Sequence, residues 1–482
     1  MSGYFYELPT TEPFSFSSCY SDTVGFYIAQ VADTTERRAN LRTLLKDAKR
    51  NSEKDYLRLV KTLDDYLPLL AGIVACRDSD ELVPRSHLDF IWKSTLSSSF
   101  LHSPSKLSFA ALSAEMAFSI LTYGYCLSNL AHCVVISLGD YEYDRAIMGT
   151  ELKAKDERLN FAVTLLCKAS GIFEYVAKAV LVRWEQERHT LKKDHANPPE
   201  LSQEVAIGLS RMALAEAQAL AIRKLLSKSA YDNTVTPGPP LPKSHPPPGF
   251  VAKLHLECAS LFSSARSLVK TARGPKSKTR FRPSFGKNKN IDDDDASEGG
   301  VEEVAPDLKR YLADEAALHS ALSSKWLGVD CGESGGLDRA GQAVGYLQWA
   351  KKELEELKDG TKAGITLPGV NNENEKRARD RRKALVAKEL ETVNVFLKHY
   401  RNMNDTIAFQ PVPSQAELQA IIPAGKMAVS ARGYELPIPV FGPGSPRYVS
   451  HQLSKFTVSE GTSVEEDDCG STSNYSGAGS YF

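Results

Sequence analysis

Apolar residues recur at steps of three and four along most of this chain. Tyr56, Leu59, Val60, Leu63, Tyr66, Leu67 and Leu70 form one such run, the signature of a helix with one face turned to a core. The same period predicts helices at about 33–49, 52–76, 106–138, 150–192, 201–230, 249–272, 306–327, 337–358 and 373–404, hence a mainly α-helical protein. Extended chain is expected only near the ends. Its candidates are Phe14-Ser-Phe-Ser, Thr406-Ile-Ala-Phe-Gln-Pro-Val-Pro and Lys426-Met-Ala-Val, where flanking prolines favour edge strands or straps.

Two of these helices depart from an amphipathic pattern. Between Glu115 and Asp140 there is no Asp, Glu, Lys or Arg, so Met116–Gly139 is long enough to cross a bilayer. Ser119, Thr122, Ser128, Asn129, His132 and Ser137 dilute it, and a buried helix at the centre of a large array satisfies the pattern better. The stretch from Leu209 to Leu225 carries alanine at 213, 215, 217, 219 and 221. Alanine is the best helix former and adds little width, so neighbouring helices can approach closely while Leu209, Met212, Leu220 and Ile222 supply larger contacts.

The breaks set the domain organisation. At 482 residues the chain exceeds the roughly 250–300 that usually share one core, which points to several domains or one elongated stacked array. Residues 237–248 are dominated by proline, and an insertion at about 232–248 is expected as a disordered link between helices. A second, at 273–305, runs from Arg273, Lys276, Lys278, Arg280 and Arg282 to Asp292–Asp295 and Glu302, a charge-block composition that predicts disorder. The reading is one helical domain over 1–440 and a flexible Gly/Ser-rich acidic tail over 441–482.

Charge narrows the function classes. Lys plus Arg is 59 and Asp plus Glu 60, a net −1 that excludes a whole-protein basic field for nucleic acid. The cysteines form no Cys-x-x-Cys pair and mostly sit in apolar helical sequence, so a reducing, cytoplasmic setting is expected. The first residues, Met-Ser-Gly-Tyr-Phe-Tyr, lack the basic n-region of a signal peptide.

Catalytic motifs fail on context. Gly332-Glu-Ser334-Gly-Gly336 matches Gly-x-Ser-x-Gly, which needs a strand before the serine, yet Tyr311–Trp326 reads as helix. His255-Leu-Glu257-Cys258 opens like a zinc-deaminase signature with no Pro-Cys-x-x-Cys after it. Arg377–Lys383 resembles an import cluster but opens a long helix as its exposed face. No zincin motif, P-loop or dinucleotide fingerprint occurs, so no catalytic residue, metal or cofactor is assigned.

Three ordered segments carry a resemblance. Lys168-Ala-Ser-Gly-Ile-Phe-Glu-Tyr175, Leu209-Ser-Arg-Met-Ala-Leu-Ala-Glu-Ala-Gln218, and Asp405–Pro413 followed by Ile421–Val429 resemble, in order and spacing, motifs of the Bro-one domain family of Alix-like helical adaptor domains. The opening Tyr6-Glu-Leu-Pro-Thr-Thr-Glu-Pro-Phe-Ser-Phe-Ser-Ser-Cys19 is similar to the family's fungal ambient-pH signalling members. The resemblance implies an elongated, banana-shaped helical solenoid with tetratricopeptide-like helix pairs near 306–358, a small β element from the terminal segments, and no catalysis. It also implies a partner, the C-terminal amphipathic helix of an ESCRT-III subunit seated in an apolar groove, and thereby proteolytic activation of a pH-responsive transcription factor. Helix-in-groove binding needs apolar residues spaced one turn apart, which Leu209, Met212, Ala213 and Glu216 supply on one helix, with Leu418 and Ile421 as opposite walls. Glu216 is a departure, since the family usually has an uncharged amide there, and it is expected to retune the groove for a basic partner.

The resemblance further implies peripheral recruitment from the cytoplasm to plasma-membrane or endosomal ESCRT sites, contact with upstream arrestin-like or ubiquitinated signalling proteins, and no nucleic acid. An endosomal sorting accessory role is the neighbouring reading within the family. A different class is a membrane-surface or nucleic-acid binder acting through the basic stretch 270–289, where Phe281 and Phe285 stand among the charges.

Overall fold

A computed structural model of the chain describes residues 3–450 apart from 52, 98–105, 145–146, 148, 192–196, 236, 272–302 and 361–372. Its helices follow the apolar period. After the single turn α1 (Phe16–Cys19) come α2 (Ile28–Arg50), α3 (Tyr56–Asp78), α4 (Leu112–Leu138), α5 (Gly149–Tyr175) and α6 (Leu181–Leu191). Then follow α7 (Gln203–Val235), α8 (Pro248–Thr271), α9 (Pro306–Ser334), α10 (Ala340–Gly360), α11 (Glu373–Met403) and the short α12 (Gln415–Ala420). The stretch predicted as one helix over 150–192 is broken by a π turn, Val176–Val180, between α5 and α6.

Successive long helices pack on one another, α2 on α3 through α10 on α11, with α5 passing directly to α7. The result is a mainly α solenoid. In α3, Leu59, Leu63, Tyr66, Leu70 and Ile73 form the buried stripe, and the Asp55 carboxylate caps the helix by accepting the Arg58 N–H. The two apolar segments within Leu112–Tyr143 and Gln203–Asp232 are 78% and 83% buried inside the protein, so their apolar surface is already covered. One hydrophobic cluster spans the N-terminal segment through α8 and the start of α9, and a second joins α7, α8, α9, α10, α11 and α12. Helix α7 belongs to both.

The strands differ from expectation. β1 (Tyr20–Asp22) pairs antiparallel with β2 (Leu82–Pro84), and β3 (Phe90–Lys93) with β4 (Lys106–Phe109), so residues 106–109 are strand where the period predicts a helix start. Four residues are too few to separate the two periods. Phe14-Ser-Phe-Ser turns into α1, its first turn capped by the Ser15 hydroxyl. Among the described residues 406–413 and 426–429 form no strand, and Pro411 and Pro413 offer no N–H to a ladder.

Part of the insertion expected to be disordered at about 232–248 is packed instead. Residues 237–248 lie on the α9–α11 side, with the His245 ring 4.8 Å from Trp326 and Leu241 packed on the second cluster. Of the tail expected over 441–482, Phe441 is buried between Tyr27 and Gly72, and 451–482 lie outside the described residues. The basic and acidic insertion at 273–305 lies outside the described residues up to 302.

A buried ion pair ties the first half together. Arg38 on α2 donates to Glu115 on α4 through Nε at 2.8 Å and Nη2 at 3.0 Å, and both side chains are essentially inaccessible. Tyr66 Oη (2.9 Å) and Trp92 Nε1 (2.7 Å) donate to the same carboxylate, while Arg38 also reaches Thr11 Oγ1 and the Glu12 carbonyl. Removing one member strands the other. Glu115→Ala should therefore cost about 3–5 kcal/mol in urea unfolding, and Arg38→Met added to it should recover part of that loss. An additive double variant would contradict the pairing.

Between α8 and α9, His255 Nδ1 lies 2.9 Å from His319 Nδ1, both buried. Burial holds His319 down to about 4 and, with His319 and Lys325 nearby, holds His255 well below the usual histidine range. Both imidazoles stay neutral in the folded protein while the unfolded chain takes up protons below about pH 6.5. Stability from this pair is thus complete above pH 6.5 and is lost as pH falls towards 4. Urea midpoints measured from pH 7.5 to 5 should decline, and His255→Leu/His319→Leu should flatten that decline.

Candidate functional site

Helix α7 forms because Glu204–Arg223 is an unbroken run of good helix formers with no proline and one glycine. Its small residues let α5 and α8 come close on either side, and Ala213, Ala215, Ala217 and Ala219 are all buried. Gly208 continues this: a Cβ there would stand 3.0 Å from Val269 Cγ2 and 3.3 Å from the Ala265 carbonyl of α8. Ser170 of α5 and Ser210 of α7 share a hydrogen bond of 3.1 Å across the other contact.

This packing corrects the predicted groove. Leu209, Met212 and Ala213 are 1%, 0% and 0% exposed and lie in the first core cluster, so they are covered by the protein's own helices. Glu216 also points inward. Its Oε1 accepts from Tyr311 Oη of α9 at 2.6 Å and from the Tyr4 backbone N–H at 3.0 Å, and its Oε2 lies 3.2 Å from His132 Nε2 of α4. The carboxylate standing in place of an amide is an internal anchor for the N-terminal segment. Leu418 of α12 is buried against α10 in the second cluster, where its carbonyl accepts from Tyr346 Oη at 3.1 Å. Ile421 alone of the six is open, at 53%. The six residues share no surface.

The open line of α7 lies to one side of these residues. Ile207, Arg211 and Leu214 recur at steps of four and three, with Arg211 exposed and the two apolar residues half-buried. Arg211 Nη1 donates to Ser264 of α8 at 2.6 Å, and the half-buried Leu268 lies one turn further along α8. A sequence signal for this register exists. Arg211 and Glu216 are the charges between Glu204 and Arg223, and five residues on a helix separate them by about 140°, so one line of solvent cannot hold both.

The chain after α11 crosses this face as a long strap. It passes over α10, where a Cβ on Gly341 would sit 2.1 Å from the Pro411 carbonyl, and then over α8, where Lys426 N–H donates to the Lys253 carbonyl at 2.9 Å. On α7 the Gln218 side chain donates to the Lys426 carbonyl (2.8 Å) and accepts from Ala428 N–H (2.7 Å). Arg432 N–H donates to the Cys167 carbonyl of α5 at 3.0 Å, and Phe441 ends the crossing over Gly72 of α3. Between its anchors the strap holds apolar side chains outward: Phe409 is 74% exposed and Met427, directly above α7, 45%. The strap lies at backbone contact on α5, since a Cβ on Gly171 would fall 1.6 Å from the Arg432 carbonyl.

Ser334, in the rejected Gly-x-Ser-x-Gly match, is the last residue of α9 and is preceded by helix, so no strained strand-to-helix turn lifts its hydroxyl. Gly171→Ala should lift the strap and cost about 1–3 kcal/mol through overpacking. Limited trypsin digestion reads this as faster cleavage at Lys426 and Arg432. Unchanged cleavage rates would contradict the close contact.

The family model for the BRO1-like domain matches residues 10–438. The chain is 34% identical over its full length, and the full length of the relative, to the pH-response regulator protein palC of Cryptococcus neoformans var. neoformans. Among solved structures it is similar to ALIX in complex with the SIVmac239 PYKEVTEDL late domain, with a TM-score of 0.58 and 16% identity over 95% of this chain and 54% of that one, so it spans about half of that longer chain. It is also similar to the ALIX BRO1 of a CHMP4C complex, at a TM-score of 0.56 and 16% identity over 92% of this chain and 98% of that one. With the stacked helices and the matched span together, the chain belongs to the BRO1-like domain family.

Proposed function

We propose that this protein is a non-enzymatic adaptor of fungal ambient-pH signalling that docks the C-terminal amphipathic helix of an ESCRT-III subunit. Its end-to-end similarity to a pH-response regulator is the observation that carries this reading. The likeness to the ALIX BRO1 of a CHMP4C complex supports an ESCRT-III occupant. Held at a plasma-membrane or endosomal ESCRT site, such an adaptor brings a pH-responsive transcription factor to its activating protease. Contacts with arrestin-like or ubiquitinated upstream proteins belong to the same proposal.

The docking surface in this reading is the open line of α7, Ile207, Arg211 and Leu214, bordered by Leu268 and by Met427 on the strap. Ile207 and Leu214 are spaced two turns apart, which suits a helix laid along a shallow groove. Leu209, Met212 and Ala213 keep α7 seated from below, and Glu216 fixes its depth against α9. Ile421 lies further along the strap, towards α10.

Two substitutions separate surface from core. Leu214→Asp should lower affinity for a fluorescent peptide of the ESCRT-III C-terminal helix at least tenfold while the domain stays folded, with a cooperative melt and unchanged helical circular dichroism, since Leu214 is only half-buried. Met212→Asp places a charge at a position with no exposure and should unfold the domain before any binding is read. Full affinity in Leu214→Asp would remove α7 from the docking surface.

A further inference from the structure

A second surface, remote from the strap, carries charge that folding leaves unbalanced. Residues 10–12 run along the edge of the β3–β4 hairpin through an isolated antiparallel bridge: Thr11 bridges Trp92, Glu12 N–H donates to the Ile91 carbonyl at 3.1 Å, and Lys93 N–H to the Thr10 carbonyl at 2.9 Å. Thr11, Phe90, Trp92 and Phe109 face the core. By alternation, Glu12, Lys93 and Lys106 face outward.

On that outer face Lys93 and Lys106 stand directly opposite each other, an arrangement in which like charges oppose strand pairing. Glu12 is shared by three cations: Lys106 Nζ at 2.9 Å, Lys46 Nζ at 3.7 Å and Arg42 Nη2 at 3.8 Å, the last two from α2. These cations hold the Glu12 carboxyl below its usual range. Lys93 has no ion pair among the described residues, and Arg42 Nε is buried with no hydrogen-bond partner. The Asp89 carboxylate, on the residue before β3, accepts from Ser108 and forms no ion pair with Lys93 or Lys106 among the described residues. Three cations thus converge on one carboxylate, a fourth, Lys93, stands beside them without an ion pair among the described residues, and one guanidinium donor is unfilled.

We propose that this face binds phosphate-bearing lipid headgroups and seats the protein on an anionic membrane surface. Ammonium groups presented from a small sheet and a neighbouring helix suit phosphates spread across a plane. Single-stranded nucleic acid is less well served, because the aromatic rings of β3 and β4 are all in the core and none stands among the cations to stack a base. The like-charge pair costs the hairpin stability and is offset when an anion lies over it.

The test is cosedimentation of the full chain with vesicles of phosphatidylcholine alone or with added phosphatidylserine. Binding should require the anionic lipid and weaken with salt. Lys93→Thr should lower partitioning about fivefold, and Lys93→Thr/Lys106→Thr roughly twenty-five-fold, with the double variant melting no lower than the parent. Partitioning unchanged in the double variant would place membrane binding elsewhere on the chain and overturn the proposal. So would lysine-dependent binding of inorganic phosphate or of a single-stranded oligonucleotide without vesicle association.

Discussion

The constraint on which the rest depends is the closeness of helices around α7. A helix with alanine at alternate positions and glycine at 208 lets its neighbours approach until backbone and side chain touch, as the 3.0 Å clearance at Gly208 shows. Larger residues would push α5 and α8 apart and uncover the apolar surface they share. Each fully buried leucine or isoleucine contributes roughly 1.5–3 kcal/mol, so losing that contact would cost both core clusters at once. Because α7 belongs to both, the two halves of the solenoid are one structure.

Polar groups fix where the close-packed helices stop. Glu216 takes donors from α9 and the N-terminal segment and faces His132 of α4, so sliding α7 along its axis would break every one of these contacts. The Arg38–Glu115 pair does the same for α2, α3, α4 and β3. A buried charge with all its partners supplied specifies a register that apolar packing alone tolerates in several versions. The strap then locks the outer face, meeting helices at glycines on α10, α5 and α3, where only a missing side chain permits contact.

Most of the helices were legible because a half-buried helix writes its exposure into the sequence every three or four residues, as α3 does. The orientation of α7 was not. A helix covered on nearly every side carries apolar residues all round, so Leu209 and Met212 look as suited to a groove as Ile207 and Leu214 do, and only the neighbours decide. The charges Arg211 and Glu216 held part of the answer, yet a buried carboxylate is read correctly only once Tyr4, His132 and Tyr311 are seen around it. The β3–β4 hairpin is not legible because its strands are short, nor is the packing of residues 237–248, because proline-rich composition describes backbone limits and not the Trp326 surface on which the loop rests.

The central claim is the proposed docking of the partner on the narrow open line of α7 beside the strap crossing at Gln218, with the buried line serving only to support it. Methyl-labelled nuclear magnetic resonance of the full chain, titrated with the ESCRT-III C-terminal helix, measures this directly. The account predicts large shifts or broadening at the methyls of Ile207, Leu214 and Met427, with those of Leu209 and Met212 nearly still. Strong perturbation of Leu209 and Met212 without effect on Leu214 would contradict it.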